Sequence, residues 1–272
     1  MKGEITTGSI KIDRLRSKII EGNIKIPPFQ REFVWKQEQV IELLDSIIKD
    51  YPIGSILLWE TKDDLPSKRN IGGFDLPNPT EDYPINYVLD GQQRVTSIFG
   101  VFCYDLKNVE NEDYDSSIFN IVYDATEDLF ISSSDINDKN INLPLRLIFD
   151  NFNFNKFIQE KSLNESQTNK VVEIQSLFQN YELPLVTIKK RDKTEVGIIF
   201  ERVNNTGTPL STLDLMIAWT WVEDFHLKEK FEDIFETLED KNFGNVKNKV
   251  VLQCISAIIN QTTKTKSILE LN

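Results

Sequence analysis

The chain has 272 residues, 40% of them hydrophobic and 17 of them Phe, which is material for one large core or two modest ones without disulfide staples. A formal net charge of −12 weighs against nucleic-acid binding through overall charge. The two cysteines, Cys103 and Cys254, have no CxxC spacing and fit a reducing compartment. The one histidine, His226, removes His-rich metal sites and paired-histidine acid–base chemistry. The polar start, residues 1–8, lacks the apolar centre of a signal peptide, and apolar stretches such as 216–222 are too short to span a bilayer. The expectation is a cytoplasmic protein with no membrane partner.

In chain order, residues 12–21 read as a short helix followed by an extended approach to Pro27-Pro28. Val40, Ile41, Leu44, Ile47 and Ile48 recur on one face and predict a helix over 36–49. Pro52 and Gly54 end it, and residues 55–59 read as a buried strand. Residues 61–84, with four prolines and Gly72-Gly73, predict a long surface loop. A second strand over 86–89 runs into Asp90-Gly91, and Val95, Ile98, Phe99 and Phe102 place a helix after that turn. Residues 119–123 and 129–131 predict a hairpin. Helices are expected over 144–160, 166–180, 194–203, 211–225, 227–239 and 246–260, with one strand at 185–188 returning to the sheet of the first half. The overall reading is α/β (α+β): a core over 1–140 with a small mixed sheet, then a mainly helical region over 141–272 packed on it.

The residues with chemistry to offer fall in three segments. In Asp90-Gly91-Gln92-Gln93-Arg94 a helix starts directly after a strand, and its unpaired N–H groups and dipole favour an anion. Gly91 lets the backbone approach a phosphate. Arg94 can fork onto phosphate oxygens. Gln92 and Gln93 can bond a base, a phosphate or an attacking water, and Asp90 can hold a divalent cation. The plainer reading is a common Asp-Gly turn. In residues 26–35, two prolines set an extended approach from which Gln30 and Arg31 project; core anchoring by the rings and a salt bridge by Arg31 are the rival readings. In residues 200–211, Asn204 and Thr206 either touch a ligand or cap helix ends. The basic run Lys189, Lys190, Arg191 and Lys193 reads as a solvated loop. His226 is not set in an HNH nuclease motif.

Taken together, Pro28-Phe29-Gln30-Arg31 with Trp35, the run from Tyr51 to Ile56, Val88-Leu89-Asp90-Gly91-Gln92-Gln93-Arg94 and residues 200–213 resemble the N-terminal domain of GmrS/GmrD-type restriction proteins. The match of order and context covers roughly residues 10–225, with Asp-Gly-Gln-Gln-Arg as its hallmark. The resemblance implies a ParB/sulfiredoxin-like core, binding and hydrolysis of an NTP with Mg²⁺, and a role in restricting foreign or modified DNA. It implies a nucleotide site of Asp90, Gly91, Gln92, Gln93 and Arg94, with Thr96 on the same helix, Gln30 and Arg31 beside it and Asn204 and Thr206 closing it. Catalysis falls to Gln92, Gln93, Arg94 and Asp90, with Asp90 as metal ligand. DNA and an HNH-nuclease subunit are the implied partners, and a homo-oligomer is left open. Family members often carry an HNH domain or work with a partner that has one; if the chain cuts DNA, it is expected to do so in its first domain or through another subunit, and the helices past 225 are read alternatively as the start of a longer protein. A DNA-binding or nicking domain without NTP turnover, and a non-catalytic partner subunit, are the alternatives.

Overall fold

A computed structural model describes residues 3–27, 30, 33–62, 70–71, 74–75, 84–103, 116–204, 213, 216 and 227–263. The main sheet is built from β1 (Glu4–Lys11), β2 (Ile24–Lys25), β3 (Ile56–Thr61), β6 (Ile85–Asp90) and β10 (Glu182–Lys189), in the order β1-β10-β3-β6-β2. The β1/β10 and β3/β6 pairs are antiparallel, and β10/β3 and β2/β6 are parallel. A short pair, β4 (Asn70–Ile71) and β5 (Phe74–Asp75), lies within the segment expected to be only a loop. The hairpin β7 (Ile121–Asp124) and β8 (Leu129–Ser132) gains a third strand, β9 (Asn142–Pro144), on the other side of β7.

The helices are α1 (Ile12–Ile20), α2 (Gln37–Ile48), α3 (Gln92–Phe102), α4 (Asn151–Glu160), α5 (Glu165–Asn180), α6 (Lys193–Asn204), α7 (Leu227–Asp240) and α8 (Asn248–Asn260). Leu213 and Met216 are helical, while the other residues of the helix expected over 211–225, and His226, lie outside the described residues. The helix expected from 144 starts later: Pro144 closes β9, Leu145–Leu147 form a 3-10 turn, and Asp150 caps α4 by accepting from the Asn153 N–H at 3.0 Å. The mixed α/β architecture agrees with the expected class.

Alternation along the strands splits the apolar side chains between two faces. On one face, Ile56, Leu58 and Val88 join Ile12, Leu15 and Ile19 of α1, Val40 and Leu44 of α2, Val95, Ile98 and Phe99 of α3, and Val171 and Phe178 of α5. This core runs from Ile10 to Leu183 and takes in Tyr123 and Phe130 of the second sheet. On the other face, Trp59, Tyr87 and Leu89 pack against Val196 and Phe200 of α6. A third cluster gathers Leu213, Met216, Phe231 of α7 and Leu252 of α8. At roughly 25 cal/mol per Å² of apolar area, the first face is the main stabilising contact, and it fixes α3 rigidly behind the Asp90 turn.

Candidate functional site

Four local devices build the turn after β6. First, the β3/β6 ladder slips: Leu58 pairs with Val88 and Leu57 pairs with Asp90, which leaves Leu89 as an extra residue. Such a bulge bends the strand and re-aims the chain beyond it. Second, Gly91 takes φ 86° and ψ 14°, a left-handed conformation that glycine adopts at little cost. Third, Gly91 is the N-cap of α3, and as a glycine it offers no side chain of its own to the first turn. Fourth, α3 is buried along nearly its whole length, which holds its first turn in place.

Arg94 is set by its neighbours. Its Nη1 donates to the Ile53 carbonyl at 2.6 Å and its Nη2 to Asp90 Oδ2 at 3.1 Å. Two glycines make room for it. A Cβ on Gly54 (φ +80°) would lie 2.5 Å from Nη1, and one on Gly91 would lie 3.1 Å from Nη2. A guanidinium carries five N–H donors, so these two bonds orient it and leave further donors to offer. The Arg94 side chain is 16% exposed and that of Asp90 is 44% exposed.

The glutamines are placed otherwise than in a bare turn. Gln92 and Gln93 are both 7% exposed. Gln93 Oε1 accepts from the backbone N–H of Val34 at 2.9 Å and of Trp35 at 3.2 Å. Gln30 Nε2 donates to the carbonyls of Val88 at 3.0 Å and Leu89 at 2.8 Å. Thr96, one turn below Gln92, is 1% exposed, and its hydroxyl has no hydrogen-bond partner. Gln30 thus meets the end of β6 and residues 34–35 meet the start of α3, with Phe33 anchored on Phe119 at 5.3 Å between ring centroids.

Arg31 and Thr206 lie outside the described residues, and so does the side chain of Asn204 at the end of α6. Helix α6 packs on the face of the sheet opposite α3. The basic run is spent on acids: Lys189 on Glu60 at 2.9 Å, Lys190 on Glu4 at 2.7 Å and Arg191 on Glu195. Among the described residues, no group of three or more His, Cys, Asp or Glu is placed to hold a metal ion, and no helix is long and apolar enough to cross a membrane. Sequence alone marks Gly54 only as a helix stop. Its pairing with Gly91 around one arginine emerges from the structure, although the Pro-Ile-Gly run was the available signal.

The chain is a member of the GmrSD restriction endonuclease N-terminal domain family, whose pattern matches residues 12–221. That family links the chain to restriction. It is also 31% identical over 277 residues to the uncharacterized protein MJ0686 of Methanocaldococcus jannaschii, a match covering 90% of this chain and 47% of that protein. The chain therefore spans about half the length of the curated relative it matches.

Proposed function

We propose that the chain is the NTP-binding and NTP-hydrolysing module of a DNA-restriction system, built on a ParB/sulfiredoxin-like core. The reading is carried by Arg94, which Asp90 and the Ile53 carbonyl hold beside a helix start whose N-cap is a left-handed glycine. A pre-oriented guanidinium next to backbone N–H groups suits phosphate oxygens and costs little reorganisation when they arrive. Asp90 keeps its second carboxylate oxygen for Mg²⁺, which would supply charge neutralisation across the phosphates. A glutamine of the motif orients the attacking water. DNA and an HNH-bearing partner enter through the rest of the restriction system. The internal pairing of Lys189, Lys190 and Arg191 favours this reading over a basic DNA-gripping surface.

The test is a thermal-shift panel of ATP, GTP, CTP and UTP with and without Mg²⁺, followed by phosphate release. A ligand that binds only the folded state raises apparent stability by about 2.7 kcal/mol at a hundredfold excess over Kd. The expected result is a Mg²⁺-dependent rise in Tm with at least one NTP, and turnover of that nucleotide. No shift with any of the four, at millimolar concentration, rejects the reading.

A further inference from the structure

Of the two motif glutamines, one has its side-chain oxygen already committed. Gln93 Oε1 takes two successive backbone N–H groups, those of Val34 and Trp35. From the same stretch of chain Gln30 reaches the opposite way, and its amide donates to two successive carbonyls, Val88 and Leu89. Leu89 is the extra residue of the bulge and Val88 the last residue in register before it. Both glutamines are more than nine-tenths buried. Strand β2 stops at Lys25 and pairs with Asn86 and Tyr87, with Ile26 in an isolated bridge beyond it, so among the described residues no strand runs along the last half of β6 on that side. The two side chains supply lateral bonds where a longer strand would have placed backbone.

We infer that Gln93 and Gln30 are positioning residues that clasp residues 33–35 across the start of α3. Gln93 acts as an acceptor for two N–H groups and Gln30 as a donor to two carbonyls. The clasp holds the wall of the proposed nucleotide site, and in this respect the inference rests on the NTP reading. It also removes Gln93 from the water-orienting role, since its oxygen is already filled.

The chemistry gives the two positions opposite tolerance. A carboxylate accepts hydrogen bonds and cannot donate them when ionised. Gln93→Glu therefore keeps the clasp, whereas Gln30→Glu sets a carboxylate against two carbonyls and opens it. The experiment is amide hydrogen exchange of Val34 and Trp35 on the full chain without nucleotide, with the amides of α5 reporting global opening. Gln93→Ala and Gln30→Glu should speed exchange at Val34 and Trp35 by about tenfold, which is the loss of about 1.4 kcal/mol at each amide. Gln93→Glu should stay within about threefold of the parent. The α5 amides should keep their rates. In turnover of ATP or GTP with Mg²⁺, Gln93→Ala should raise KM more than it lowers kcat.

Unchanged exchange at Val34 and Trp35 in Gln93→Ala overturns the inference. So does Gln93→Glu exchanging like Gln93→Ala, or a fall in kcat at constant KM. If Gln93→Ala does not fold, the two Glu variants carry the same contrast. A parent protein that neither binds nor hydrolyses any of ATP, GTP, CTP and UTP defeats the NTP reading alone, because the exchange measurement needs no nucleotide.

Discussion

Two strands of this molecule end in an aspartate followed by a small residue, and the two carboxylates have opposite fates. At the end of β7, Asp124 is 3% exposed. Its Oδ1 accepts from the N–H groups of Thr126 at 2.9 Å and Glu127 at 3.1 Å, and its Oδ2 from the Asn140 amide at 2.7 Å. That turn closes on itself and ties β7 to the approach of β9. At the end of β6, Asp90 makes none of these local bonds. It turns to Arg94, stays 44% exposed, and does not itself cap the helix that starts after Gly91. An aspartate that satisfies its own turn is structure. One that orients a cation beside a helix start keeps binding capacity in reserve.

Asp124 should show the largest stability effect. Asp124→Ala leaves two turn N–H groups and the half-buried Asn140 amide without their acceptor, a loss of about 2–3 kcal/mol in denaturant unfolding at pH 7. The effect has a definite pH dependence. Burial opposes ionisation of Asp124, but the bonds from Asn140 and the two turn amides outweigh it and hold the pKa below the ordinary aspartate value. A group depressed in the folded state contributes fully above its unfolded pKa and loses that contribution as pH falls through the folded one. The gap between parent and Asp124→Ala should therefore be constant above about pH 5 and shrink below about pH 4. A gap that does not change down to pH 3 would show that the carboxylate charge is irrelevant to the turn.

Gly91→Ala comes next and probes the open turn. Its φ of 86° costs an L-residue about 1–2 kcal/mol. The added methyl also meets Arg94 Nη2 at 3.1 Å and the Ile56 Cα at 3.4 Å, and the latter is backbone that cannot swing away. The matching change in the closed turn, Ala125→Gly, should cost well under that in unfolding free energy. Equal losses at the two sites would erase the distinction between a strained turn and a relaxed one.

How far each region was legible depends on the range of its interactions. The helices α1, α2 and α3 and the β7/β8 hairpin carry their signal locally, in apolar spacing and turn residues. Strand β1 carries almost none. Six of its eight residues are exposed in an unbroken run, so no alternation marks it, and its pairing partner β10 is nearly the whole core away in sequence. The late start of α4 was readable from Asp150 and Asn153 as a capping pair, and the apolar run at 145–149 masked it. In the site, the motif placed Arg94 on the first helical turn but gave no sign of its pairing with Asp90. It did not predict that Gln30 and Gln93 spend their side chains on backbone some 59 residues away. Long-range side-chain to backbone bonds leave no periodic trace in a sequence.

The smallest stability effect and the sharpest functional one should coincide at Asp90. Asp90→Asn keeps an oxygen for Arg94 Nη2 at nearly the same place and removes only the charge. The pair is partly exposed, so the change should cost less than about 1 kcal/mol in unfolding. If Asp90 serves only to hold Arg94, the thermal shift produced by a nucleotide should fall equally with and without Mg²⁺. If its remaining oxygen serves the cation, the shift without Mg²⁺ should persist or grow as repulsion from the phosphates is relieved, and the extra shift due to Mg²⁺ should disappear. The second pattern is the expected one, because an open carboxylate next to an oriented guanidinium can attract a metal while its partner attracts the phosphates. The closed turn at Asp124, with both oxygens taken, can do neither.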